Sequence, residues 1–243
     1  MFSIFKKEVN LFLSSLIGYI AIAVFLFGTG LFVWVFPEYS VIDYGVATLD
    51  SFFRMGPYVL LFLIPAITMR TFAEEQQAGT FELLATRPIT DWEIVLGKYF
   101  ACVALLFVAI LPTFIYYLSI YELGLPKGNI DTGATLGSYI GLFLLGSVFI
   151  AIGIFASALF SNQIVAFLFA FFFCAFAFDA FTSIARFPIF IGTWDAVIEK
   201  FGINYHYISI SRGLIDFRDL VYFGSVIGIF LTGTKTLLER RQW

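Results

Sequence analysis

Six long apolar blocks, separated by short polar segments, dominate the chain. The first runs without charge from Leu11 to Phe36 and ends at Pro37; the second runs from about Ser51 to Met69. The third spans Lys98 to Tyr121, the fourth Leu136 to Phe160, the fifth Ile164 to Ala185, and the sixth Leu220 to about Leu238. A helix needs about 20 apolar residues to cross a hydrocarbon core of about 30 Å. Begun only at Pro57, the second block would reach about 20 Å at 1.5 Å per residue. It therefore includes Arg54 near its outer end, where a long side chain can snorkel to the interface. Ser161, Asn162 and Gln163 alone separate the fourth and fifth blocks, which makes a tight helical hairpin. The blocks are continuously apolar and do not alternate with period two, so a β-barrel is excluded. The pattern predicts an all-α integral membrane protein. It forms one six-span domain over residues 1–243, with spans at about 11–36, 51–69, 98–121, 136–160, 164–185 and 220–238.

Composition agrees. Of 243 residues 60% are apolar and 13% charged, against about 45–50% and about 25% in a soluble domain. Lipid must solvate much of this surface. The net charge of −3 excludes nucleic acid as a partner read from basic patches. Cys102 and Cys174 both lie inside apolar blocks and build neither a disulfide framework nor a zinc cluster.

An even number of spans puts both ends on one side, and Lys and Arg decide which. With cytoplasmic ends, the inner segments hold eight basic residues: Lys6, Lys7, Arg70, Arg87, Lys98, Lys235, Arg240 and Arg241. The outer segments hold six: Arg54, Lys127, Arg186, Lys200, Arg212 and Arg218. Lys6 and Lys7 precede the first span, and the next basic residue is Arg54, so both termini are read as cytoplasmic. The first block is far longer than the h-region of a signal peptide, and no A-x-A-like site follows it.

Chemistry and partners are expected in the polar segments. FSIFKKEVN, residues 2–10, is amphipathic as a helix and should lie along the inner surface. The largest inner segment, RTFAEEQQAGTFELLATRPITDWEIVLGK, runs from Arg70 to Lys98. Thr71 to Ala78 continues the second span, and Gly79 ends it. Thr80 then caps a short helix carrying Phe81, Glu82, Leu83 and Leu84, and Pro88 closes it. Thr90 and Glu93 fit a capping box, so the third span starts as a surface helix with Trp92 at the headgroup level. This reads as a stiff knuckle below the membrane, a docking peg for a partner, with an ordinary inter-helix loop as the plain alternative. On the other side, Thr193 can cap a helix to Lys200 that Gly202 ends, an interfacial cover. Asp216 can cap the sixth span, with Asp219 in its first turn.

Asp179 is the one acid inside a span, about 22 Å from the inner edge, with Ser183 and Arg186 near the same face. Such a residue is a functional candidate, and a satisfied polar group near the outer interface is the plain alternative. His206, the single histidine, lies in an outer loop, so neither a serine–histidine protease nor a two-histidine metal site can be built. No G-x-x-x-x-G-K-[ST] loop is present, so the chain does not itself bind ATP in the P-loop manner. Pro65 and Pro112 read as kinks. No catalytic constellation, metal site or cofactor site emerges, and the chain is read as a non-enzyme.

The segment 70–98 resembles the permease subunits of type-2 ABC exporters. There an arginine, a glutamate, a Gly-Thr pair, a Glu-Leu-Leu run, a proline and a Gly-Lys lie between the second and third spans. Here they are Arg70, Glu74 or Glu75, Gly79-Thr80, Glu82-Leu83-Leu84, Pro88 and Gly97-Lys98. A second likeness lies in His206, Arg212 to Asp216, and a final span ending in Glu239-Arg240-Arg241. Within that family the opening FSIFKKEVNLFLSSLIGYI and the stretch EEQQAGTFELLATRPIT look like the gliding-motility-associated permeases of GldF type. The resemblance implies a multi-pass permease of a bacterial inner membrane, pairing with a second, different or identical, permease. It also implies a cytoplasmic ABC ATPase dimer that binds ATP and magnesium in this chain's stead. The knuckle would then be the coupling helix that the ATPase grips, through Glu74, Glu75, Gly79, Thr80, Phe81, Glu82, Leu83, Leu84, Arg87 and Pro88. The rival reading is a structural or mechanical platform of a motility or secretion assembly that moves no substrate.

Overall fold

A computed structural model of the chain describes all residues except 81–88, 191, 193, 214–215 and 241–243. Among the described residues every regular element is helical. In chain order these are α1 (Phe2–Ser14), α2 (Leu16–Trp34), α3 (Val41–Tyr44), α4 (Asp50–Gln77), α5 (Asp91–Leu123), α6 (Thr132–Leu159), α7 (Gln163–Ala185), α8 (Asp195–Glu199), α9 (Ile203–Ser211) and α10 (Phe217–Arg240). Five helices, α4, α5, α6, α7 and α10, are each long and apolar enough to cross a bilayer; α1 and α2 form a pair bent by 66° that makes a sixth span when counted as one.

The apolar run 11–36 is thus divided, and its first residues belong to α1. The break is at Ser15, which is extended (φ −93°, ψ 143°) and whose side chain accepts the N–H of Gly18. One serine ends α1 and caps α2, satisfying an orphan donor of the second helix.

The fourth-span helix α6 is the centre of the bundle. Its apolar window is 78% buried, against 22% for α7 and 17% for α10, whose outer faces are left to lipid or a partner. Small residues let α6 serve several neighbours at once, as membrane helices do in the absence of a hydrophobic drive between them. A Cβ added at Gly153 would collide with Thr68 Oγ1 on α4.

Of the two predicted kinks, one has structural expression. Pro112 sits in a 3-10 turn, Leu111–Thr113, inside α5. The Tyr139 hydroxyl donates to the Thr113 carbonyl at 2.9 Å, so a side chain on α6 answers a disturbed backbone group. In α4 the helix runs unbroken through Pro65, and the only division, into Asp50–Thr68 and Arg70–Gln77, falls at Met69.

The outer cover has more order than the single helix expected over 193–200. The cap assigned to Thr193 lies outside the described residues; Asp195–Glu199 forms α8, and Gly202 opens a second helix, α9. His206 therefore sits on a helix and not in a loop. Ile203, Tyr207 and Ile210 of α9 are buried. Their i, i+4, i+7 spacing is the apolar stripe of a helix. The Tyr207 hydroxyl donates to the Phe53 carbonyl (2.6 Å), and Ser138 Oγ on α6 donates to the Ser211 carbonyl (2.7 Å).

Gly153→Ala should destabilise the bundle by about 1–3 kcal/mol, the usual range for overpacking. Thermal unfolding of the purified protein in detergent reads this as a lowered midpoint. Adding Thr68→Ala, which removes the nearest atom, should recover part of the loss.

Candidate functional site

The site is built where three elements meet at one end of the bundle: helix α1, the C-terminal part of α4 beyond Met69, and the first turns of α5. Thr90 caps α5 through a full capping box, its side chain accepting the Glu93 N–H and Glu93 returning to the Thr90 N–H. A helix started at Asp91 carries Lys98 two turns inward, beyond the buried Ile94 and Val95. Lys98 is 2% exposed.

A buried ammonium is costly unless its donors are all engaged. Lys98 Nζ makes two hydrogen bonds and one further ion pair. Glu8 Oε1 of α1 lies at 3.1 Å, the Thr71 carbonyl of α4 at 2.6 Å, and Glu75 Oε2 of α4 at 3.0 Å. The Phe72 ring lies beneath, its centroid 5.0 Å away. On the open side, Lys7 Nζ reaches Glu75 Oε1 at 3.2 Å and Glu8 Oε1 at 3.7 Å. Two cations and two carboxylates make a neutral clasp.

The sequence around the clasp serves its geometry. Ile4, Glu8 and Phe12 are the buried residues of α1, one per turn, so Glu8 sits in the middle of an apolar stripe. That stripe can lie close on α5 because residue 97 is glycine: a Cβ there would be 2.9 Å from Ile4 Cγ2. In the Gly97-Lys98 pair, the glycine permits the approach of α1 and the lysine locks it.

The α4 extension is held from its other side by α6. At the Met69 break one hydroxyl, Ser157 Oγ, accepts the N–H groups of Phe72 (2.9 Å) and Ala73 (3.0 Å) and donates to the Met69 carbonyl (2.9 Å). This uses its one proton and both lone pairs. Gln76 Nε2 adds a bond to the Ala158 carbonyl at 3.3 Å.

The extension ends in a Schellman motif. Thr80 N–H donates to the Glu75 carbonyl (3.0 Å) and Gly79 N–H to the Gln76 carbonyl (3.2 Å), with Gly79 in the left-handed region at φ +67°. Of the residues proposed from sequence, Glu75 is in the clasp. Glu74 instead makes a two-pronged pair with Arg70, Nε to Oε2 and Nη2 to Oε1, both 2.8 Å, on the exposed side of the helix. Gly79 and Thr80 form the cap. Phe81, Glu82, Leu83, Leu84, Arg87 and Pro88 lie outside the described residues. Glu8 and Lys98 are the additions that structure makes.

The outer candidates do not gather into a pocket. Asp179 is half-buried in a π-helical turn, Phe176–Ala180, whereas Ser183 and Arg186 are exposed. Such turns interrupt α-helices frequently at functional sites. His206 Nδ1 stands 2.7 Å from Asp219 Oδ1 and its Nε2 2.9 Å from the Lys200 carbonyl, tying α9 to the first turn of α10. Among the described residues no group of three or more His, Cys, Asp or Glu could hold a metal ion.

Lys98→Met leaves two carboxylates facing the exposed Lys7 alone. Breaking a buried pair costs about 3–5 kcal/mol, so a large drop in the thermal midpoint is expected. Lys7→Met, at a side chain 55% exposed, should cost far less. Adding Glu8→Gln to Lys98→Met should restore part of the midpoint.

Comparison with known proteins completes the picture. No curated protein matches the chain. The profile of the family described as ABC-2 family transporter protein matches residues 37–198. That stretch is more than half of the chain and includes α4 with its extension, α5, α6 and α7. The chain therefore belongs to the ABC-2 transporter family and is a multi-pass, non-catalytic membrane permease subunit of an ABC transporter.

Proposed function

We propose that this permease converts ATP hydrolysis by a separate ABC ATPase dimer into movement of its spans, with the segment 79–88 as the coupling element. The observation that supports the reading is how the helix leading into that segment is held. It is tied to α1 and α5 by the Lys98 clasp and to α6 by Ser157. A load that reaches Thr80 would pass to α1, α4, α5 and α6 together.

On this reading α1, the clasp and both termini face the cytoplasm of a bacterium whose inner membrane holds the protein. Glu82 and Arg87 supply polar contacts to the ATPase, and Phe81, Leu83 and Leu84 the apolar anchor in a cleft on it. A second permease, different or identical, covers part of the lipid-facing surface of this one. The resemblance to gliding-motility-associated permeases supports a role in export linked to motility. Stimulation of the ATPase by a candidate substrate in liposomes separates export from a platform that moves no substrate.

A Leu83→Asp, Leu84→Asp double variant tests the anchor. Each buried leucine is worth about 1.5–3 kcal/mol at an interface, so the variant should fold normally and lose the ATPase in affinity pull-down. Retention of the ATPase at the wild-type level would remove the assignment.

A further inference from the structure

A second feature of α1 lies outside the clasp. An open groove of about 520 Å³ runs between α1 and α5. Phe2 and Phe5 of α1 wall its polar end, Phe100, Val103 and Phe107 of α5 its length, and Phe143 of α6 its far side. Every lining side chain is apolar, and Phe100 and Phe107 remain 44% and 52% exposed.

Its length suits one class of occupant. From Gly97 to Phe107 the helix rises about 15 Å, the depth of one leaflet of a hydrocarbon core about 30 Å thick. An apolar slot of that length, open along one side, fits a hydrocarbon chain lying beside α5. The first turns of α1 stand at the Gly97 end of the groove, and α1 then runs beside α5, with Val9, Phe12 and Leu13 near Ala101, Ala104, Leu105 and Val108. An occupant with its polar part beside those first turns has its apolar part along α5.

Charge selects the headgroup. Lys6 follows Phe2 by one turn on the same side of α1 and is exposed, with Lys7 next to it. The neighbouring carboxylates are engaged elsewhere: Glu8 faces Lys98, and Glu93 closes the capping box at Thr90. A basic edge above an apolar slot suits an anionic lipid.

We propose that the groove between α1 and α5 holds one acyl chain of an anionic phospholipid in the leaflet that carries α1, with the lipid phosphate against Lys6. A lipid seated there braces α1 from the side that the clasp leaves open. Lipid composition would then act on the same helix that Lys98 fixes.

The test uses the full-length protein in phosphatidylcholine nanodiscs containing a trace of a lipid with a photoactivatable acyl chain. The probe is made once with a phosphatidylglycerol and once with a phosphatidylcholine headgroup, and labelled residues are mapped by mass spectrometry. In the wild type the phosphatidylglycerol probe should label residues 100–107 about fivefold more than the phosphatidylcholine probe, the effect of one basic residue near an anionic lipid. Lys6→Glu, on the exposed edge of α1, should abolish that preference. Ala104→Trp, which fills the floor of the groove, should remove labelling there by both probes while Phe172, 65% exposed on α7, is labelled as before. Equal labelling by the two probes in the wild type, unchanged by Lys6→Glu, would overturn the proposal by showing ordinary annular lipid. Absence of labelling at 100–107 with Phe172 labelled would overturn it by showing a protein in the groove.

Discussion

One buried ammonium organises the surface end of this bundle. Lys98 lies two turns inside α5, where neither water nor lipid can solvate its charge. It is tolerated because α1 and α4 deliver two hydrogen-bond acceptors and, at 3.0 Å, a second carboxylate as counter-charge. Loss of either carboxylate removes a negative charge that the buried site has no ready substitute for, so the arrangement of the three helices is specified and not merely favoured. The approach that makes it possible depends on Gly97, and the α4 backbone that presents Glu75 is fixed by Ser157. These residues come from four helices, and none of them has a sufficient reason by itself.

The bilayer explains why so much is invested in polar detail at this end. Within hydrocarbon the helices associate through close packing and scattered hydrogen bonds, as at Gly153 and Tyr139. At the interface the chain must leave its spans without exposing backbone groups to lipid. Ser15 does so by capping α2 as α1 ends; Ser157 does so by answering the break at Met69; Gly79 and Thr80 do so with a helix cap. In the coupling role proposed above, the same devices make the α4 extension a stiff lever.

Much of this was legible beforehand. Continuous apolar blocks gave the long apolar helices, the Thr90–Glu93 pair gave the start of α5, and Gly79 gave the end of the α4 extension, because each signal is local. The break at Ser15 was missed because an uncharged run from Leu11 to Phe36 carries no mark of a bend; the cap chemistry of Ser15 was the available signal. Helix α9 was missed although Ile203, Tyr207 and Ile210 have helical spacing, because Gly202 was read as an end and not as a beginning. The clasp is a different case. Lys98 was taken as the edge of a span and Glu8 as one more charge on an amphipathic helix. Counting two turns inward from the Thr90 cap puts Lys98 among buried residues, and Glu8 lies between Ile4 and Phe12 on one stripe. Each was thus visible as a misplaced charge, but their pairing across 90 residues is tertiary and follows only from the fold. Asp179 drew attention as an acid in a span; that it sits in a π-helical turn is set by packing.

The most direct test of the central claim is a distance between α1 and the α4 extension. Spin labels at the exposed positions Asn10 and Gln77, in the otherwise unaltered protein in nanodiscs, report it by pulsed electron resonance. If Lys98 unites the two helices, the distribution is narrow in this background and becomes broad when Lys98 is replaced by methionine. A distribution that is already broad, or one that stays narrow without the lysine, would contradict the account.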